Sequence, residues 1–176
     1  ATAADAHLDL STYTKAANGV EKVIIDDASL ISGKKVTTGD DQTLSLATGT
    51  TNKATTGTVT WQTSNTATSA NLILNGYQGG KGVTAADLTI VGTLVKTQNI
   101  ASTGAANKVD DLTLGDATDK VVITGDKALT VVTDLVSSAG ATVLKTVDAS
   151  AATGGVAITL KASTNAAFAL DRKSVV

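Results

Sequence analysis

Apolar residues alternate with polar ones or form short runs, and Gly, Asn, Asp, Ser and Thr bound these segments. Such a pattern is typical of β-strands joined by turns. Most of the segments are rich in Val, Ile, Leu and Thr, whose branched or bulky side chains suit a pleated surface. The pattern predicts strands over 7–14, 22–26, 42–48, 56–63, 71–75, 87–95, 111–114, 120–124, 128–133, 142–147 and 156–162.

Helical patterns are scarce. Thr84 and Asp87 have the spacing of a capping box, but the residues that follow alternate like a strand, so we expect one helical turn at most. The segment 140–152 is rich in Ala but is interrupted by Val and Thr, which favours strand and loop. Asn18-Gly19 and Asn75-Gly76 are strong turn dipeptides. The sequence therefore predicts an all-β protein.

Short sequence segments recur along the chain. Residues 87–90 (Asp-Leu-Thr-Ile) return at 111–114 (Asp-Leu-Thr-Leu), and 36–40 (Val-Thr-Thr-Gly-Asp) return at 122–126 (Val-Ile-Thr-Gly-Asp). Recurring phrases indicate a solenoid of stacked coils, and their unequal spacing indicates loops of unequal length. We predict an irregular parallel β-solenoid (β-helix) with short turns. A β-sandwich with a similar number of strands is the alternative.

Composition favours the solenoid. Hydrophobic residues make up 42% of the 176 residues but aromatic residues only 2%, so the core must be built from Val, Leu, Ile and Ala. Such side chains suit the narrow interior of stacked β-coils. The length suits a single β-rich domain over 1–176, or a fragment of a longer surface protein, with a subdivision near residue 80 (1–80 and 81–176) as the alternative.

Charge and residue usage exclude several functions. The net charge is −2 and the pI is about 5.2, which removes the positive surface that nucleic acid requires. The absence of Cys and the single histidine, His7, exclude thiolate and multi-histidine metal sites. An exposed histidine near a terminus is favoured over a catalytic one, and no enzyme activity is predicted. No apolar run approaches the roughly 20 residues of a transmembrane segment.

Many aspartates follow or precede the predicted strands. Carboxylates from neighbouring turns, together with backbone carbonyls, would supply the six to eight oxygen ligands that calcium prefers. The alternative is that each Asp makes a turn by accepting a hydrogen bond from the backbone two residues on. The candidate calcium ligands are Asp26, Asp27, Asp40, Asp41, Asp110, Asp111, Asp116, Asp119, Asp126 and Asp148, and Asp134 lies at a further strand end.

Two other features are candidate binding sites. Residues 79–83 (Gly-Gly-Lys-Gly-Val) begin like the calcium-binding nonapeptide repeat, but Thr84 stands where the ligand Asp is required, so a turn is predicted. Trp61 and Tyr77 have polar surroundings and would suit an aromatic platform for sugars. With so few aromatics, a small packing cluster outside the main core is favoured over the platform.

The segments 111–114, 123–130 and 147–156 resemble Gram-negative surface-layer (S-layer) proteins exported by type I secretion, and the related β-strand-repeat surface proteins. This resemblance implies a structural protein of the extracellular cell surface that tiles into a lattice, with calcium holding subunits together. The closing residues 168–176 loosely resemble the tail of a type I secretion signal, and a domain boundary would look the same. The chain departs from the family in lacking intact Gly-Gly-x-Gly-x-Asp repeats.

Two functions follow as hypotheses. The first is a self-assembling S-layer protein that forms a protective lattice or filament, dependent on calcium. The second is an adhesin or carbohydrate-binding stalk module, in which Trp61, Tyr77 and nearby amides contact a surface glycan or lipopolysaccharide. An enzyme built on a β-helix ranks third.

Overall fold

The computed structural model describes residues 7–13, 15–28, 33–48, 57–79, 87–137, 143–160 and 169–171. These residues form fourteen strands and one helical turn. In chain order the elements are β1 His7–Leu10, α1 Lys15–Asn18, β2 Lys22–Ile25, β3 Lys35–Thr38, β4 Thr43–Leu46, β5 Val59–Gln62, β6 Ser69–Asn75, β7 Leu88–Val91, β8 Thr97–Thr103, β9 Asn107–Leu114, β10 Lys120–Gly125, β11 Leu129–Ser137, β12 Thr146–Ala152, β13 Val156–Leu160 and β14 Ala169–Asp171.

The strands alternate between two sheets of seven strands each. The odd-numbered strands form one sheet in the order β1-β3-β5-β7-β9-β11-β13, here called the odd sheet, and the even-numbered strands form the even sheet in the order β14-β12-β10-β8-β6-β4-β2. Neighbouring strands are parallel throughout, as in β1 with β3 and β10 with β12. Each coil thus contributes one strand to each sheet. The predicted parallel β-solenoid is confirmed, and the parallel pairing excludes the antiparallel β-sandwich.

The coils differ in length, as the unequal spacing of the recurring sequence segments predicts. Asn71 and Asn99 stack on adjacent coils 28 residues apart, whereas Thr118 bonds to Val95 only 23 residues away. The recurring phrase at 87–90 and 111–114 does mark stacked coils, because Leu88 lies in register with Leu112. Chain segments before and after residue 80 belong to the same two sheets, since β5 pairs with β7 and β6 with β8.

Along each strand, side chains that point between the two sheets alternate with side chains that point outward. The first set forms the inner row of the strand and the second set its outer row. In β8, Gln98, Ile100 and Ser102 are buried while the residues between them are half-buried. The inner rows of successive coils form columns of aliphatic side chains, such as Leu44, Leu72 and Ile100. These columns form the core between the two sheets, and their burial supplies the main favourable term in folding.

Trp61 and Tyr77 lie inside this core with no exposed surface. The expectation that they form a packing cluster outside it is therefore wrong. Trp61 stacks between Val36 and Ile90, and its indole Nε1 donates a hydrogen bond of 3.0 Å to the buried Thr38 hydroxyl. Because this inward threonine satisfies the indole N–H, the whole ring can be buried without a polar penalty.

The strand predictions are confirmed for most segments, but their ends differ. β3, β8, β14 and the helical turn α1 are not predicted, and the strand placed at 142–147 overlaps only the start of β12. Thr84 of the suggested capping box lies outside the described residues, as do residues 80–83 of the glycine-rich stretch. Within the described ranges, no helix is both long and apolar enough to cross a membrane.

Candidate functional site

The aspartates proposed as calcium ligands are distributed over the length of the solenoid. Asp26 and Asp27 follow β2, Asp40 and Asp41 form the turn between β3 and β4, Asp110 and Asp111 lie within β9, Asp116 and Asp119 lie between β9 and β10, Asp126 follows β10, and Asp148 lies in β12. Across the described part of the chain, no group of three or more His, Asp or Glu side chains is arranged to hold a metal ion. The assignment of calcium to these residues stays a prediction.

One of these candidates, Asp111, lies in register with two other aspartates. Asp111 pairs with Asp134 on β11, and the backbone N–H of Asp87 donates to the carbonyl of Asp111 at 3.2 Å. Asp87, Asp111 and Asp134 therefore occupy one column across three coils of the odd sheet. The alternation of β9 breaks at Asp110 and Asp111, where two successive residues are half-buried, and the pairing of β11 with β9 shifts at the same level.

Other aspartates form the local turns that the alternative interpretation expects. The Asp148 carboxylate accepts hydrogen bonds from the Ser150 hydroxyl at 2.7 Å and from the Ser150 N–H at 3.1 Å. Asp9 accepts a bond from the N–H of Ser11 at 2.9 Å in the same way. The hydroxyl of the neighbouring serine and then its N–H, Ser11 at Asp9 and Ser150 at Asp148, stabilise the ionised carboxylate, so they lower the pKa of both groups, and Lys120 adds a smaller effect at Asp148.

Two further carboxylates are also held ionised. Hydrogen bonds from the Ser64 and Thr66 hydroxyls lower the pKa of Asp40 below its usual value of 3.8. Thr66 reaches Asp40 across adjacent coils, with oxygen–oxygen distances of 2.8 and 2.6 Å. The Lys127 ammonium, 2.8 Å from the Asp126 carboxylate, lowers the pKa of Asp126. These acidic side chains are negatively charged at neutral pH.

A buried polar cluster, missed by the sequence analysis, joins three coils. The Tyr77 hydroxyl donates to Asp87 Oδ1 at 3.0 Å, and the N–H of Asp110 donates to Asp87 Oδ2 at 2.9 Å. The N–H of Tyr77 itself donates to Asn107 Oδ1 at 2.7 Å. We call Tyr77, Asp87, Asn107 and Asp110 the Tyr77 cluster.

The hydrogen bonds of the Tyr77 cluster stabilise the fold. Tyr77, Asp87 and Asn107 are at most 2% exposed, so a dissolved ligand cannot reach them. Asn107 also donates to the Ser102 hydroxyl and to the carbonyls of Thr103 and Ala105, which fixes the turn between β8 and β9. A carboxylate this deeply buried requires such donors, since burial without them is costly.

One sequence signal does point to this cluster. The predicted Asn75-Gly76 turn is present, with Gly76 at a φ of +68°, and it directs the chain from β6 into the position of Tyr77. Gly79 lies against Asp87, because a Cβ built at Gly79 would stand only 1.6 Å from Asp87 Oδ2. The residue at this position must therefore be glycine for Asp87 to keep its place.

The outer faces of the two sheets carry short polar side chains in register. On the even sheet, Asn99 Nδ2 donates to Asn71 Oδ1 at 2.8 Å on the preceding coil. On the odd sheet, Thr60, Thr89 and Thr113 stack on three successive coils, and all are half-buried. These ladders repeat one chemical surface along the solenoid.

The other predicted features have clear positions. His7 is exposed, as favoured by the sequence, and its ring bonds to the hydroxyl of Thr37 on the adjacent coil. Trp61 and Tyr77 are fully buried and cannot stack against a sugar ring at the surface, so that part of the carbohydrate hypothesis is wrong.

Comparisons with known proteins do not point to a function, so any functional argument rests on the fold and its surfaces. The chain matches no protein-family model, and neither a curated protein nor a solved structure is significantly similar to it.

Proposed function

We propose that the chain is a structural, self-assembling protein of the extracellular cell surface, which forms an S-layer type of lattice. The observation that carries the proposal is the coil-by-coil repetition of two outer faces on a parallel solenoid. A surface that repeats at regular intervals along one axis can make the same contact many times with a neighbouring copy. Many weak contacts then act together, as in any multivalent assembly.

The chemistry of these faces suits contact between copies. The Thr60, Thr89 and Thr113 ladder and the Asn71–Asn99 pair present short side chains that lose little conformational freedom on packing. Val132, also on the outer face of the odd sheet, is 42% exposed and adds apolar contact area. A mixed surface of this kind is typical of interfaces that form between soluble subunits.

Calcium has a role in this proposal as a bridge between copies. Asp40, Asp126 and Asp148 have lowered pKa values and are ionised, and they lie on different coils. Carboxylates from two copies, brought together at a contact, would complete the oxygen shell that calcium requires. The ion would also neutralise the repulsion between two acidic surfaces, since the chain carries a net charge of −2.

An adhesin or carbohydrate-binding stalk module is the alternative function. The half-buried amides of Asn71 and Asn99 are its support, because amide groups donate to and accept from sugar hydroxyls. Its ligand would be a surface glycan or lipopolysaccharide. Without an accessible aromatic ring in this ladder, recognition would rest on these hydrogen bonds.

The test combines light scattering with electron microscopy of the purified chain. The chain is compared in millimolar calcium, in the same concentration of magnesium, and in a calcium chelator. We expect ordered sheets or filaments in calcium that dissolve on chelation. Assemblies of equal extent in all three solutions would support self-assembly and contradict the role of calcium. A chain that stays monomeric throughout but binds a glycan array saturably would favour the stalk module.

A further inference from the structure

The sequence contains two Asn-Gly dipeptides, and the fold places them in different surroundings. Asn18 ends the helical turn α1, and Asn75 ends β6. The glycine that follows each asparagine has a left-handed backbone, with a φ of +70° at Gly19 and +68° at Gly76. Glycine adopts this conformation without strain, so both turns need it. The two sites therefore share their local sequence and turn geometry and differ in what packs against them.

An Asn-Gly pair is chemically reactive by itself. The backbone nitrogen of the glycine attacks Cγ of the asparagine side chain, and no Cβ on the glycine blocks its approach. A bond forms between that nitrogen and Cγ while the Cγ–Nδ2 bond breaks. The amide group leaves with the proton of the glycine nitrogen as ammonia, and a cyclic succinimide remains. Water then adds to one of the two ring carbonyls and opens the ring to aspartate or to isoaspartate.

The surroundings of Asn18 leave this reaction unhindered. Asn18 and Gly19 are exposed, as are Ala16 and Ala17 before them. A Cβ built at Gly19 would meet no heavy atom within 4 Å apart from its own chain neighbours. The helix α1 has only four residues, and so short a helix has little cooperative stability of its own. Segments of this kind open more often than the packed core, so the side chain of Asn18 can reach the nitrogen of Gly19.

The surroundings of Asn75 oppose the same reaction. Asn75 lies in register with Thr103 on the next coil, and the N–H of Gly76 donates to the Thr103 carbonyl at 3.3 Å. The Asn75 carboxamide lies against Gly104, since a Cβ built at Gly104 would stand only 1.8 Å from Asn75 Oδ1. Attack by Gly76 must break the bond to Thr103 and move the carboxamide away from the next coil. Separating two stacked coils costs more than opening α1.

Gln42 holds the chain on both sides of α1. Its side chain is 3% exposed, and its Nε2 donates to the carbonyls of Tyr13 and Val20, at 3.1 Å for Val20. Its Oε1 accepts the N–H of Gly39 at 2.8 Å, which fixes the amide in this orientation. Since α1 lies between Tyr13 and Val20 in the chain, a covalent change within it is confined by these two bonds. The strands on either side can keep their places.

We infer that Asn18 is a site of spontaneous deamidation and isoaspartate formation in the folded protein, and that coil stacking protects Asn75 from the same reaction. This inference goes beyond the proposed function and does not depend on it. The product replaces a neutral carboxamide by a carboxylate, so the first coil gains one negative charge. Isoaspartate also lengthens the main chain by one methylene group. Because both changes lie between the two bonds of Gln42, the modified chain stays folded.

The first experiment compares the two sites in one chain. The purified protein is incubated at mildly alkaline pH, and peptide mapping by mass spectrometry follows the conversion of amide to acid at Asn18 and Asn75. In the folded chain we expect Asn18 to react at least about tenfold faster than Asn75, which requires only a small difference in barrier height. In concentrated denaturant the coil contacts are lost, and the two rates should become comparable. Equal rates in the folded chain, or a difference that persists in denaturant, would overturn the inference.

Two variants identify the reacting residue in the intact protein. Asn18→Gln lengthens the side chain and disfavours ring closure, so the acidic species that ion-exchange chromatography separates from the incubated wild-type chain should disappear. Asn65→Gln is the matched control, because Asn65 is also exposed but is followed by Thr66, and it should leave the acidic species unchanged. An acidic species that persists in Asn18→Gln would show that another residue reacts.

The isolated acidic species tests the role of Gln42. Methylation by an isoaspartyl methyltransferase should detect isoaspartate in it, and its circular dichroism spectrum and thermal unfolding should match those of the unmodified chain. An acidic species that has lost its β-structure would contradict the confinement of the change by Gln42. An acidic species without isoaspartate would contradict the succinimide route.

Discussion

The Tyr77 hydroxyl donates a hydrogen bond of 3.0 Å to the carboxylate of Asp87, and both side chains are buried in the solenoid. Tyr77 follows β6 of the even sheet and Asp87 precedes β7 of the odd sheet. The bond therefore spans the corner at which the chain passes from one sheet to the other. A polar link at this depth holds two coils in one relative position.

Tyr77→Phe tests the strength of this link. The substitution keeps the ring but removes the hydroxyl donor from a buried carboxylate, and we expect a loss of about 1–3 kcal/mol in the free energy of unfolding. Tyr13→Phe is the control, because Tyr13 is 48% exposed and the same change there should cost no more than about 0.5 kcal/mol. Denaturant unfolding followed by circular dichroism gives both values. Equal values for the two variants would contradict the assigned role.

Gly125 provides a second test of coil stacking. It has a φ of +107°, and a Cβ at this position would lie 2.1 Å from the carbonyl oxygen of Ser102 on the preceding coil. Gly125→Ala should therefore cost about 2–4 kcal/mol, from backbone strain and from the displaced coil. Gly155→Ala meets no atom within 4 Å and should change stability by less than about 1 kcal/mol. Thermal unfolding of both variants checks the difference, and a stable Gly125→Ala protein would show that the coils can separate locally.

Two of the strands that the sequence does not predict, β3 and β8, have polar residues in the inner row. In β8, Gln98 and Ser102 are buried on either side of Ile100, so the expected alternation of apolar and polar residues is absent. In β3, Thr38 points inward because it accepts the bond from Trp61. A hydrophobic pattern predicts a strand only when the side chains of its inner row are apolar. In these strands, some inner side chains are polar and are satisfied by hydrogen bonds instead.

Contacts between coils depend on register, which the sequence does not reveal. The phrase at 87–90 and its copy at 111–114 do stack, but residues 128–131, which resemble them, do not, since Leu129 pairs with Asn107. The Tyr77 cluster joins side chains from three coils of unequal length. Without that register, Asp87 appears only as the residue before a strand, and its bond to Tyr77 cannot be predicted.

Thr38 and Trp61 allow a test inside the core. Thr38→Val removes the acceptor for the indole N–H, which is then buried without that partner, and we expect a cost of about 1–3 kcal/mol. Thr60→Val, one residue from Trp61 but on the outer face, should cost no more than about 0.5 kcal/mol. Trp61 is the only tryptophan, so its fluorescence and the circular dichroism signal report the same unfolding transition. A neutral Thr38→Val would indicate that the indole finds another acceptor.

Asp40 links stability to pH through its contact with Thr66. Because the Ser64 and Thr66 hydroxyls hold the pKa of Asp40 below 3.8 in the folded chain, its contribution to stability is complete above about pH 4. That contribution is lost as the pH falls through the lowered pKa, since the unfolded chain binds the proton more tightly. Thr66→Val should raise the pKa of Asp40 towards 3.8 and reduce stability at pH 7 more than at pH 2. Thr124→Val, on the outer face of β10, is the control and should leave the pKa of Asp40 unchanged. Carboxyl carbon chemical shifts followed by NMR during an acid titration measure the pKa directly, and an unchanged value in Thr66→Val would show that Ser64 alone holds the carboxylate ionised.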